Sequence, residues 1–375
     1  MRIAATAFAG LAAFVAASGC LSKPSLNGDR DDAGTVDASI DAAIPITANV
    51  IFVSSIAKAP GQLGGAAGAD ALCTELAAHL RADIPANTYI AWLPESTMVT
   101  APMRVQSHNA RGWVRPDGLP VADTLDELRL GNHYYPPRLD EYGADVAALV
   151  PNVVTATLRT GGVPSGNTCG GFQVSTGDVG FGVADGSGRA WTEVAMGGCN
   201  AEMRIYCLGV GNSVAVTAPA PPPHRRVFVS TTRVNSVSGT GYDAICDNDA
   251  TANGFPDAEY LAALPYGSDH IASRFPSGLP WARKDGVVVL SSGMTEMLAP
   301  VSYDANGVRQ VPDSILTGAT SFTLPSSNTC MDYASTASPD VNVGWSERSV
   351  PAFALHDETT ACDSLANLRL YCFEK

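Results

Sequence analysis

The chain is one unit written twice, and this duplication limits its possible folds more than any other feature. Ile51-Phe52-Val53-Ser54-Ser55 opens the first copy and Val227-Phe228-Val229-Ser230-Thr231 the second. Gly68-Ala69-Asp70-Ala71-Leu72-Cys73 is echoed by Gly241-Tyr242-Asp243-Ala244-Ile245-Cys246, and Tyr89-Ile90-Ala91-Trp92-Leu93 by Tyr260-Leu261-Ala262-Ala263-Leu264. Further on, Trp113-Val114-Arg115-Pro116-Asp117-Gly118 parallels Trp281-Ala282-Arg283-Lys284-Asp285-Gly286, with an Asp-Gly pair that reads as a hairpin turn. Gly166-Asn167-Thr168-Cys169 answers Ser327-Asn328-Thr329-Cys330, and Ala190-Trp191-Thr192-Glu193 is matched with Gly344-Trp345-Ser346-Glu347. Arg204-Ile205-Tyr206-Cys207-Leu208 pairs with Arg369-Leu370-Tyr371-Cys372-Phe373. In the first copy, Leu72, Leu76 and Leu80 fall at helical spacing within Asp70 to Leu80, so the shared cysteine belongs on a helix packed against the core.

Of nine cysteines, Cys20 stands apart near the N-terminus. The others divide four and four: Cys73, Cys169, Cys199 and Cys207, then Cys246, Cys330, Cys362 and Cys372. The gaps run 96, 30 and 8 residues in the first copy and 84, 32 and 10 in the second. An even set in an exported chain implies disulfides, and four cysteines allow three pairings, among which spacing does not choose. Zinc is the rival use of such sets, but no Cys-x-x-Cys pair is present.

Export is read from the N-terminus. Arg2 is followed by an apolar stretch over residues 3–17 and then by Ser18-Gly19-Cys20. The stretch is too short to span a bilayer and reads as a signal peptide over residues 1–19. Small residues before a cysteine resemble a bacterial lipobox, which implies diacylglycerol on Cys20 and a membrane anchor. Ala17 stands where leucine is usual, and without the anchor the chain would simply be secreted. Leu21 after the cysteine favours the outer membrane. Residues 20–47 carry Asp29, Asp31, Asp32, Asp37 and Asp41 with few large apolar groups and are expected to be a flexible acidic tether. Residues 211–225 hold a proline cluster and read as a semi-stiff linker. Two domains follow, over residues 48–210 and 226–375. Two linked sites would share an effective concentration set by that linker.

The last cysteine in a Leu-Tyr-Cys-Phe strand, the first on a helix after Gly-x-Asp, and two between them resemble the C-type-lectin-like fold. More closely, each copy resembles the endostatin-type branch and a related bacterial family of unknown function found in surface lipoproteins. The resemblance implies an α+β class: two tandem domains, each a small twisted antiparallel sheet with one or two helices and long disulfide-pinned loops. It also implies nested bridges, Cys73–Cys207 with Cys169–Cys199, and Cys246–Cys372 with Cys330–Cys362.

Little in the chain suggests chemistry. Its 375 residues are 46% hydrophobic with a net charge of -14, which disfavours nucleic acid as a partner. The Glu-Pro-Asn, Gln-Pro-Asp and Trp-Asn-Asp signatures of calcium-dependent sugar binding are missing, so that site is not carried over. Asp247-Asn248-Asp249 reads as a solvated helix face. His79, His108, His133, His224, His270 and His356 lack metal-ligand spacing. His108, His133 and the acidic run Asp123-Thr124-Leu125-Asp126-Glu127 are expected at the surface. Neither Gly-x-Ser-x-Gly nor a P-loop occurs. Gly64-Gly65-Ala66-Ala67-Gly68 reads as a tight lead-in to a helix rather than an anion cradle. The pairs Trp113 with Trp281 and Trp191 with Trp345 are expected to be core or hairpin packing, with a ligand-facing aromatic platform as the alternative. The sequence therefore leads to a non-enzymatic, cofactor-free, membrane-anchored extracytoplasmic module. It would bind a protein or glycan without calcium, through loops over residues 94–165 and 265–325. The alternative is a structural envelope lipoprotein acting as a spacer or assembly component.

Overall fold

The apolar runs that open the two copies become strands whose alternate side chains point to opposite faces of a sheet. In β1 (Asn49–Val53), Val50 and Phe52 enter one hydrophobic cluster with the first helix, while Ile51 and Val53 enter another with Trp92 and Trp113. Both faces of this short sheet are therefore covered. The computed structural model describes residues 48–375 apart from 85–86, 148–150, 237–240, 310–312, 325–327, 338–339, 357 and 366. The signal peptide, Cys20 and the tether up to residue 47 lie outside the described residues.

After β1, the first repeat continues through α1 (Gly65–Ala77), β2 (Tyr89–Ala91), α2 (Ala101–Gln106), β3 (Trp113–Val114), β4 (Pro120–Ala122), α3 (Leu125–Leu130), β5 (Asn152–Val154), the turn α4 (Cys169–Phe172), β6 (Asp178–Val183), β7 (Ala195–Gly198) and β8 (Tyr206–Gly209). The second runs through β9 (Arg225–Val229), α5 (Gly241–Ala252), β10 (Tyr260–Ala262), β11 (Trp281–Ala282), β12 (Val288–Leu290), β13 (Ser314–Leu316), the turn α6 (Cys330–Tyr333), β14 (Asp340–Trp345), α7 (Pro351–Ala354), β15 (Glu358–Ala361) and β16 (Tyr371–Glu374). Each repeat builds a five-stranded sheet, β2-β8-β1-β3-β4 and β10-β16-β9-β11-β12, and a three-stranded one, β5-β6-β7 and β13-β14-β15. The fold is thus α+β with small, mainly antiparallel sheets and few helices. One pair in each large sheet is parallel, β1 with β3 and β9 with β11, because a long connection through a helix lets the later strand return in the same direction.

Helix α1 buries Ala69, Leu72, Cys73 and Leu76, the stripe expected of an amphipathic helix. It begins earlier than the leucine spacing suggests, at Gly65, and ends at Ala77, leaving Leu80 in the turn beyond. Gly64 and Gly65 take positive φ at its start, and a Cβ on Gly68 would lie 2.1 Å from the Leu63 carbonyl oxygen. The glycine cluster is a tight entry that only glycine allows.

Four disulfides close the repeats. Cys73–Cys207 and Cys246–Cys372 tie each early helix to its last strand across 134 and 126 residues, while Cys169–Cys199 and Cys330–Cys362 span 30 and 32. In the chain-entropy account, which is model-dependent, loops of the longer kind contribute up to about 4–5 kcal/mol each. The turns α4 and α6 that carry Cys169 and Cys330 are left-handed: φ is 50°, 52°, 56° and 60° along Cys330-Met331-Asp332-Tyr333. Thr168 Oγ1 accepts from Gly171 N–H and Thr329 Oγ1 from Asp332 N–H, which explains the repeated Asn-Thr-Cys.

From residue 48 on, the chain belongs to one compact unit. The linker lies against the first repeat over its opening residues: Val216 is buried in that repeat's core and donates its N–H to Asp123 Oδ1. Among the described residues, no helix is long and apolar enough to cross a membrane.

Candidate functional site

Several buried charged residues lie where the repeats meet. Gly182 and Gly344 hold equivalent places there, since a Cβ on either would strike a carbonyl oxygen, Trp191 O in one repeat and Ala354 O in the other. Tyr206 Oη correspondingly donates to Val183 O and Trp191 O, and Tyr371 Oη to Trp345 O and Ala354 O. The structural counterpart of Trp345 is therefore Val183, and that of Trp191 is Ala354. Matching the two tryptophans by residue type slid the repeats past one another across a turn.

With the register corrected, Asp185 falls opposite Glu347, and each reaches into the other repeat. Asp185 receives the Arg348 guanidinium through Nε and Nη2 at 2.8–3.1 Å, and the Ser349 and Val350 N–H groups at 3.2 Å. Glu347 Oε2 accepts from Ala190 N–H at 3.1 Å, its backbone carbonyl accepts from Ser187 N–H, and Gly186 pairs with Arg348 as an antiparallel bridge. Around this exchange, Arg138 Nη1 donates to Met297 O, Arg283 Nη2 to His133 O, and Arg309 Nη1 to Asn132 Oδ1. The Tyr135 hydroxyl accepts from Val288 N–H.

This seam is dry. Asp185, Glu347, His133 and Arg348 are at most 3% exposed. Burial, with the nearby Arg309 charge second, lowers the His133 pKa to about 3, so its ring is neutral and packs edge-on against Trp191. Burial also raises the Glu347 pKa and lowers that of Arg309. Groups so enclosed, with their carboxylates capping turns of the partner repeat, act as an adhesive. His133 was expected at the surface. It is instead enclosed because the loop after α3 is consumed by the contact between repeats.

The remaining candidates resolve into structural roles. His108 is exposed after α2 and shares no site with the buried His133. Thr124 and Glu127 of the acidic run form a capping box at the start of α3, and Asp123 pairs with Arg111, which holds its carboxyl below the usual range. Asp249 was expected on a solvated face. It is buried and accepts from Thr231 N–H, Thr232 N–H and the Thr232 hydroxyl, tying α5 to the turn after β9. Trp113 and Trp281 are buried, with indole N–H groups donating to Gly209 O and Glu374 O, so neither forms a ligand-facing platform. The Asp-Gly turns lie between β3 and β4 and between β11 and β12, with Arg115 and Arg283 forked onto Asp117 and Asp285. Among the described residues, no three His, Cys, Asp or Glu side chains come together as a metal site.

A pair the sequence reading missed explains Gly-x-Asp. Asp70 accepts from Ala91 N–H and from Arg104, whose Nη1 donates to the Ala91 and Leu93 carbonyls. Asp243 and Arg274 repeat the pattern at Ala262 and Leu264. An arginine recurring at the start of each long loop was the available signal.

Among the described residues, the clefts that stay open include two. The first, of about 170 Å³, lies by the three-stranded sheet of the first repeat. It has Leu158, Pro164, Val194 and Met196 in its walls, Arg189 and Glu193 at one side, and the buried Thr192 hydroxyl without a partner. The second, of about 330 Å³, lies at the end of α1 beside Tyr89. No family model matches the chain, and no curated protein is significantly similar to it.

Proposed function

We propose that this protein is a lipid-anchored module of the bacterial outer membrane, held through Cys20, that binds a protein or glycan without calcium or catalysis. Its two repeats are read as tandem C-type-lectin-like domains of the endostatin type. That reading is supported by the pairing of first and last strands in each repeat, by the helix-to-last-strand disulfides, and by the second bridge pinning the loop region.

The observation that carries the binding role is the cleft beside the three-stranded sheet. Its volume is below the roughly 300–1,000 Å³ of most small-molecule sites, so it suits one side chain or one sugar ring of a larger ligand. Arg189 and Glu193 bring an ion pair of 3.6 Å to its lining, the Thr192 hydroxyl lies buried beside them, and Met196, 45% exposed, offers apolar surface. Of the loops over residues 94–165 and 265–325 expected to face a ligand, His133, Arg138, Met297 and Arg309 are engaged in the seam, while Leu158 and Pro164 near the end of the first line this cleft.

The test is a glycan and envelope-protein array probed with residues 41–375, with and without EDTA, and repeated with Met196→Glu. The reading expects a ligand retained in EDTA and lost in Met196→Glu. A ligand lost in EDTA would overturn calcium independence, and one kept by Met196→Glu would remove the cleft from the site.

A further inference from the structure

We infer that the cleft at the end of α1 is a binding site for a single aromatic ring bearing a hydrogen-bond acceptor. The internal duplication indicates what fits there. In the second repeat, Phe255 lies nine residues after the helix cysteine and packs on Phe228 and Tyr260, with ring centroids at 5.0 and 5.8 Å. Phe52 and Tyr89 repeat the underlying pair, 5.7 Å apart against 5.8 Å for Phe228 and Tyr260. Among the described residues no third ring joins them. Nine residues after Cys73 stands Ala82, and the corner is a cleft lined by Ala77, Leu80, Ala82 and Ile84 together with the polar Arg81 and Asn87.

The cleft has the room and the chemistry for such a guest. An apolar cavity of roughly 150 Å³ already admits benzene, so about 330 Å³ holds a ring with a substituent. Tyr89 is 6% exposed, and its buried hydroxyl has no partner among the described residues. Burial raises its pKa, so it stays a protonated donor in the physiological range. The Tyr260 hydroxyl also lacks a partner beside Phe255, whose ring carries no acceptor, so a guest ring that bears an acceptor could satisfy the Tyr89 donor in a way the second repeat's own filling does not.

Ligand-detected NMR titrations of residues 41–375 with acetophenone and with toluene test this. The site predicts saturable millimolar binding of acetophenone, at least fivefold weaker binding of toluene, and loss of that preference in Tyr89→Phe. Ala82→Phe, which supplies the missing ring, is expected to abolish binding of both probes while thermal unfolding stays cooperative. Absence of saturable binding to the wild type, equal affinity for both probes, or unchanged binding in Ala82→Phe would each overturn the inference. The site is separate from the cleft by the three-stranded sheet, so neither result decides the other.

Discussion

Arg348 of the second repeat closes a two-pronged ion pair on Asp185 of the first, 163 residues away, with both side chains almost completely withdrawn from solvent. A buried pair stabilises only if its remaining hydrogen bonds are met, and here Ser349 and Val350 N–H groups supply them. Removing one partner strands the other charge. Asp185→Ala or Arg348→Ala is expected to cost about 3–5 kcal/mol in chemical denaturation, and the double variant less than the sum of the two. Additive losses would show that the two side chains do not act together.

His133 makes stability depend on pH. Its pKa is about 3 when folded against an ordinary 6.5, so below pH 6.5 the unfolded chain takes up a proton that the folded chain refuses. The contribution of this group is complete above pH 6.5 and is lost as the pH falls towards 3, at up to about 1.4 kcal/mol per pH unit. Glu347 acts in the opposite sense, since its raised pKa makes its buried carboxylate a liability as pH increases. Denaturation of His133→Phe between pH 7 and 4 should show a slope shallower by about one proton than that of the wild type. Parallel slopes would place His133 in solvent.

The left-handed turns offer a comparison within one molecule. Turn α4 carries glycines at the two positions where α6 carries Met331 and Asp332. Left-handed backbone costs a residue with a Cβ about 1–2 kcal/mol, part of which glycine returns through its freer unfolded chain. Met331 is 67% exposed. Met331→Gly should therefore stabilise by about 0.5–1 kcal/mol, and Gly171→Ala, where a Cβ meets no neighbour, should destabilise. A lower melting temperature for Met331→Gly would mean that the turn is not left-handed in solution.

Much of each repeat was legible because its fixed points recur: the helix cysteine, Asn-Thr-Cys before the turn, and Arg-x-Asp-Gly in the hairpin. The motifs were visible, but their functions in the fold were not. Asp70 and Asp243 look like helix-start carboxylates until their arginines arrive from about thirty residues on. Disulfide partners came only with the family resemblance, as spacing leaves three pairings open. The seam was hidden for a physical reason. Several of the residues it joins differ between the repeats: Asp185 stands where the second repeat has Glu347, and Arg138 stands where it has Ser302, since Leu139 O accepts from Val53 N–H as Tyr303 O does from Val229 N–H, so the seam carries little repeated signature. The clefts were hidden too, since each depends on a ring or hydroxyl left without a partner.

The central claim is that the two repeats form one body through the seam, with the linker contributing little to holding them together. It is tested most directly by placing a protease site at residues 218–222, cutting the folded protein there, and following the pieces by size-exclusion chromatography at pH 7 and low micromolar concentration. The account predicts that the cut halves elute together at the position of the intact chain and melt in one transition. Two separately eluting halves, each melting on its own, would contradict it.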